Sequence, residues 1–225
     1  MSATLERPRV AMILAAGRGE RLRPLTDTTP KPLLKVRGQP LIERHVVGLA
    51  SAGMRKIVIN LAWLGSQISE FLGDGARYGV TILYSHEERA LETAGGIFRA
   101  LPHLTPEPFA VVNGDIYTDF PFDRLAMSAA REAHLVLVPN PPQHPQGDFG
   151  LEHGRPLAAA ARRLTFSGIA LYRHGFFAGC SDGAFPLKPL LLRSMAANQA
   201  SAELYSGMWE DVGTVERLQT LNANH

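Results

Sequence analysis

Residues 12–32, MILAAGRGERLRPLTDTTPKP, hold glycines, arginines and a lysine at spacings suited to a bound phosphate chain. An apolar run through Leu14 and Ala15 empties into Ala16-Gly17-Arg18-Gly19-Glu20-Arg21, and Lys31 follows between Pro30 and Pro32. Glycine lets backbone N–H groups approach an anion. Arginine grips phosphate oxygens in pairs, whereas lysine acts as a point charge. The stretch is not a Walker loop, because no Gly-Lys-Ser/Thr follows its glycines. It is not a complete dinucleotide fingerprint either, because Leu22 stands where the third glycine belongs. A glycine-rich turn alone also reads as an ordinary strand-to-helix connection. The added Arg21, Pro24, Thr26 and Pro30-Lys31-Pro32 make the pattern more specific.

Two carboxylates stand at comparable places. Asn113-Gly114-Asp115 closes an apolar strand, where Asp115 can face a ligand or simply serve a turn. In Trp209-Glu210-Asp211-Val212-Gly213-Thr214, Asp211 precedes a helix and can hold a cation or cap that helix. Leu91-Glu92-Thr93-Ala94-Gly95-Gly96 opens another helix, with Thr93 as its alternative cap.

These groups need a scaffold, and the hydrophobic pattern supplies one. Strands are expected at 10–15, 56–61, 79–84, 109–112, 135–138, 149–152 and 164–172. Helices are expected at 40–52, 64–72, 93–101, 121–131, 185–198 and 213–221, with residues 1–8 a frayed tail. This alternation predicts one α/β domain over residues 1–225, Rossmann-like, with a mainly parallel sheet and helices on both faces. Ligands bind such sheets beyond the carboxyl ends of the strands. The four prolines of Pro139–Gly147 mark a loop or lid.

The chain has 225 residues, 45% hydrophobic and 20% charged, enough for one sizeable core. A net charge of +2 is too small for a nucleic-acid binder, and no apolar run is long enough to span a membrane. The single Cys180 excludes an internal disulfide and fits a reduced, cytoplasmic setting. A monomer or weak homo-oligomer is expected.

Leu14-Ala15-Ala16-Gly17, Gly19, Arg21, Pro24, Thr26 and Pro30-Lys31-Pro32 together resemble the signature of the sugar-1-phosphate nucleotidylyltransferases. The resemblance covers essentially the whole chain. It implies that the opening loop wraps a nucleoside triphosphate, with Arg21 and Lys31 on its phosphates and Asp115 and Asp211 jointly holding Mg²⁺. Glu20 replaces the commoner Thr or Ser and is expected to point outward, serving through its backbone N–H. Gly95 is expected to let backbone approach base and sugar, with Glu92 and Asn113 on the sugar. Asp148 and Gly150 resemble the family's sugar-contacting strand, Asp148 also reading as a solvated loop carboxylate. Tyr84, at the end of its strand, reads first as a partly buried strand tyrosine, with a place near the base as the alternative. The family's Glu-Lys-Pro is missing; Arg162 or Arg163 stands in roughly that place. Residues 59–65, 147–149 and 165–169 resemble the branch that uses UTP and N-acetylmuramic acid 1-phosphate in bacterial cell-wall recycling. Guanylyl transfer to mannose or heptose 1-phosphate is the alternative, and a non-catalytic nucleotide-sugar-binding subunit the more distant one.

Overall fold

The computed structural model describes residues 4–105 and 107–223. The sheet grows from the stretch that opened the sequence analysis. Val10–Leu14 forms strand β1, followed by helix α1 (Leu41–Ser51), β2 (Lys56–Leu61), α2 (Gly65–Leu72), β3 (Thr81–His86), α3 (Glu92–Ala100) and β4 (Phe109–Asn113). Then come β5 (Ile116–Thr118), β6 (Ala133–Val138), β7 (Thr165–Tyr172), α4 (Lys188–Ala196), β8 (Ala200–Leu204), β9 (Trp209–Asp211) and α5 (Val215–Ala223). Seven of these strands form one sheet in the order β8-β6-β7-β4-β1-β2-β3, and β7 alone runs against its neighbours.

The apolar runs have a direct consequence. Successive side chains of a strand point to opposite faces, so a strand apolar throughout needs cover on both. Ala11, Ile13 and Ala15 pack with Ile42, Val46 and Leu49 of α1 and Ile68 and Leu72 of α2. Val10 and Met12 pack on the other face with Ala94 and Ile97 of α3 and Leu190 and Leu191 of α4. A smaller cluster joins Leu218 and Leu221 of α5 to Leu22, Leu34 and Val212, tying the last helix to the phosphate-loop region.

Several boundaries differ from expectation. The helix expected at 121–131 is a 3-10 turn, Phe122–Arg124, followed by Met127–Ser128 paired with Leu5–Glu6. There the buried apolar residues Leu125 and Met127 recur every second position, which is a strand period. The same pairing orders part of the expected tail; residues 1–3 lie outside the described residues. The helix expected from Phe185 begins only at Lys188, because Phe185 pairs its N–H with Leu91 O across the start of α3. The last helix begins at Val215 rather than Gly213. Strands β5, β8 and β9 were not expected at all.

Candidate active site

The strand register places the site. Leu14 lies opposite Asn60 on one side and Asn113 on the other, so three parallel strands end level at one edge of the sheet. Hydrogen bonds lock that edge. Ala15 N donates to Asn60 Oδ1 at 2.8 Å, Gly114 N to Leu14 O at 2.9 Å, and Asn60 Nδ2 to Glu87 Oε1 at 2.7 Å.

The phosphate-loop candidates fold around Thr26. Its hydroxyl donates to Gly19 O at 2.9 Å, and Gly19 adopts a left-handed φ of 67°. A Cβ on Gly19 would stand 3.0 Å from the Thr26 methyl and 3.1 Å from Lys31 Cβ, so glycine lets the loop close over Lys31. Glu20 is exposed, and its carbonyl accepts from Arg23 N at 3.2 Å. Lys31 follows Pro30 into a 3-10 turn and is buried.

The two aspartates come together through strand pairing. Asp211 of β9 lies opposite Ile116 of β5, and Val212 N donates to Asp115 O at 3.0 Å. Lys31 Nζ donates to Asp115 Oδ2 at 2.5 Å and stands 4.0 Å from Asp211 Oδ1. Arg217 Nη1 holds Asp211 from behind, donating to Oδ2 and to the backbone O at 2.8 Å each. A Cβ on Gly213 would lie 2.9 Å from Asp211 Oδ2 and 3.1 Å from Arg21 Nη2, which sets Arg21 beside Asp211. One ammonium already sits between both carboxylates, so the pair fits a cation.

A cleft of about 270 Å³ opens at this edge, lined by Leu14, Ala15, Ala16, Gly17, Lys31, Asn60, Glu87, Glu92, Asn113 and Asp115 among others. Three larger hollows carry neither the glycine loop nor either aspartate of the pair, the smallest of them, about 360 Å³, lying between Val47, Ser51 and Tyr78. Another, of about 480 Å³, separates α1 from residues 118–123; the third, of about 740 Å³, lies between residues 139–146 and 160–164.

The structure gathers some candidates and separates others. Tyr84 faces the α2 side, its hydroxyl donating to Gly73 O at 2.6 Å, and does not line the cleft. Gly95 is close-packed against the chain itself: a Cβ there would fall 2.2 Å from Gly183 O. Gly150 likewise faces Ala160, at 2.4 Å from a built Cβ. Asp148 turns onto its own scaffold. Its Oδ2 accepts from Phe166 N at 2.8 Å, and Oδ1 is 3.3 Å from His144 Nε2. Arg162 and Arg163 are exposed on the 740 Å³ hollow, apart from the aspartates.

Sequence reasoning missed Glu87. It is 7% exposed, lines the cleft, and accepts from Asn60 Nδ2 and from Leu91 N at 3.3 Å. Its only sequence signal is a carboxylate just after a strand. Arg217 was missed too, hidden in an amphipathic helix.

Comparison with known proteins identifies the family. The Nucleotidyl transferase family profile matches residues 10–155. The chain belongs to that family. Such enzymes use a nucleoside triphosphate and a sugar phosphate, generally with a divalent metal. It is 52% identical to the N-acetylmuramate alpha-1-phosphate uridylyltransferase of Neisseria meningitidis serogroup B over 223 residues, covering 95% of this chain and 96% of that one. It is 36% identical to the mannose-1-phosphate guanylyltransferase catalytic subunit beta of Danio rerio, covering 90% of this chain and 61% of that one. Among solved structures, the inositol-1-phosphate CTP transferase from T. maritima superposes with a TM-score of 0.76 at 16% identity, covering 98% and 99% of the two chains. A Bacillus anthracis protein solved in complex with sucrose reaches 0.82 at 22% identity, covering 95% and 94%. At those identities the likeness is one of fold. The chain is a sugar-1-phosphate nucleotidylyltransferase, and no helix among its described residues is long and apolar enough to cross a membrane.

Proposed function

We propose that this enzyme transfers UMP from UTP to N-acetylmuramic acid α-1-phosphate, giving the UDP-sugar and pyrophosphate. The observation that carries the reading is the 52% identity to the Neisseria uridylyltransferase over nearly the full length of both chains. A reaction consuming a nucleoside triphosphate fits a cytoplasmic enzyme.

The chemistry asks for position and charge rather than proton transfer. A sugar phosphate is ionised near neutral pH, its second pKa being about 6. One of its oxygens attacks the α-phosphorus of UTP in line. The bond from that phosphorus to the bridging oxygen breaks, and pyrophosphate leaves with the electron pair. Arg21 and Lys31 bear on the phosphates, and the Gly17–Gly19 backbone lies along them. Asp115 and Asp211 would hold Mg²⁺, which supplies charge neutralisation at the reacting phosphates when bound. Asn60 and Glu87 fix the floor of the cleft.

N-acetylmuramic acid adds a lactyl carboxylate on O3, which calls for room and a cation. Arg162 and Arg163 offer both, on a hollow at the same edge of the sheet. Each nucleoside triphosphate paired with a panel of sugar 1-phosphates, followed by pyrophosphate release, tests the reading. We expect kcat/KM for the muramic acid substrate to exceed that for N-acetylglucosamine 1-phosphate by at least about tenfold, or about 1.4 kcal/mol. Equal use of the two, or a preference for GTP with mannose 1-phosphate, rejects it.

A further inference from the structure

We infer that Arg18 is a reserve phosphate-binding cation, parked on the indole of Trp63 until a triphosphate enters the cleft. This rests on the reading of that cleft as the nucleotide site. Two of the cations around the aspartates are committed to ion pairs. Lys31 is paired with Asp115 and Arg217 with Asp211, while Arg21 stands beside Asp211. The two aspartates thus cancel two of the cations that a polyphosphate would need. Arg18 is exposed and has no carboxylate partner among the described residues; its guanidinium carbon lies 4.5 Å from the centre of the Trp63 ring.

The platform is rigid where the arginine is free. Trp63 Nε1 donates to Thr26 O at 2.9 Å, and the Thr26 hydroxyl donates to Gly19 O. Two hydrogen bonds in series therefore fix the indole relative to the loop that carries Arg18. Arg18 itself stands between Gly17, where a Cβ would meet nothing within 4 Å, and Gly19. Gly17 lines the cleft, whereas Arg18 and Trp63 do not, so the parked guanidinium lies outside the cleft lining, one residue along the chain from it. Swinging it back needs rotation of exposed side-chain bonds and no change in the sheet. An exposed cation–π contact is weak, whereas charge-assisted bonds from guanidinium to phosphate are among the strongest polar contacts. A triphosphate brings more negative charge to the loop than a monophosphate, so the exchange is more favourable with UTP than with UMP. Arg18 therefore distinguishes a nucleoside triphosphate from a monophosphate, and returns to Trp63 when pyrophosphate leaves.

Calorimetry on the wild type and Arg18→Met, with Mg²⁺ and no sugar phosphate, tests this. UTP affinity should fall about tenfold in the variant, while UMP affinity stays within about twofold. The chain holds two tryptophans, so a Trp209→Phe background leaves Trp63 as the sole indole reporter. UTP should change its emission when Arg18 is present and not in Arg18→Met, and UMP should change it in neither. Unchanged UTP affinity, equal weakening of UTP and UMP, or a UTP response that persists without Arg18 overturns the inference. A wild-type protein that binds neither nucleotide rejects the uridylyl reading itself, a different result.

Discussion

Replacing Lys31 by methionine should weaken turnover and strengthen metal binding at once, because the ammonium occupies a place a cation would want. Lys31 Nζ is 2.5 Å from Asp115 Oδ2 and 4.0 Å from Asp211 Oδ1. At an effective dielectric constant of about 20, these separations give gross attractions of about 7 and about 4 kcal/mol. Most of that is lost to desolvation and screening. The Lys31 side chain is 9% exposed, but the aspartates are 37% and 29% exposed. The net value should fall to about 1–3 kcal/mol, between an exposed ion pair and a hydrogen bond to a charged group. A metal entering the nucleotide-free protein must overcome that amount to take Asp115 Oδ2 from Lys31. Without the ammonium, Mn²⁺ should therefore bind the nucleotide-free protein about tenfold more tightly, while kcat falls about 10²–10³-fold for want of a charge on the phosphates. Mn²⁺ titration by electron paramagnetic resonance, beside a pyrophosphate-release assay, reads both. Metal affinity unchanged or weaker in Lys31→Met refutes the picture of an ammonium competing for the aspartates.

Three further outcomes follow from buried contacts. Burial first, and Arg44 as a lesser cause, pull the His45 pKa from 6.5 down to about 4, against a backbone hydrogen bond to Ile116 and the charge of Asp115. The ring is then neutral when folded, so stability is full above pH 6.5 and declines toward pH 4, by about 3 kcal/mol in all; His45→Leu should flatten that slope in denaturant titrations across this window, and an unchanged slope counts against it. Gly95→Ala should lower stability by about 1–3 kcal/mol, because its Cβ would sit 2.2 Å from Gly183 O, and thermal melting checks it. Glu87→Ala leaves Asn60 Nδ2 and Leu91 N without their acceptor and should cost about 1–3 kcal/mol, whereas Glu87→Gln keeps one oxygen acceptor and should cost less; equal melting of the two variants contradicts this relay.

The sheet was legible because its strands are buried on both faces. Val10–Leu14, Lys56–Leu61 and Phe109–Asn113 are short apolar runs between turn signals, and hydrophobic burial dictates their fate locally. The missed elements are set by partners instead. Ala200–Leu204 alternates small and polar residues and becomes a strand only beside β6. Trp209–Asp211 is three residues long and exists through its pairing with β5. That same pairing delivers Asp211 to Asp115, so what brings the carboxylates together was the part least visible in sequence. Residues 121–131 failed for a related reason: their helical composition was overridden by a two-residue pairing with Leu5–Glu6.

The glycines show most sharply what a motif can and cannot tell. Glycine spacing announces that something approaches the backbone closely, yet it does not say what. At Gly19 the approaching atoms are the side chains of Thr26 and Lys31, and the closeness shapes the candidate phosphate loop. At Gly95 and Gly150 they are Gly183 O and the Ala160 methyl, so glycines expected to admit a ligand admit the chain's own segments. At Gly168 the neighbour is the Asn113 side chain, 2.4 Å from a built Cβ, where φ is 79°. That contact lies between the two kinds, because Asn113 lines the cleft while packing on β7. A side chain at residue 168 would push the Asn113 amide and disturb the cleft without touching a ligand. Sequence spacing thus identifies the positions on which the site depends, and the packed structure separates those that shape it from those that only support it.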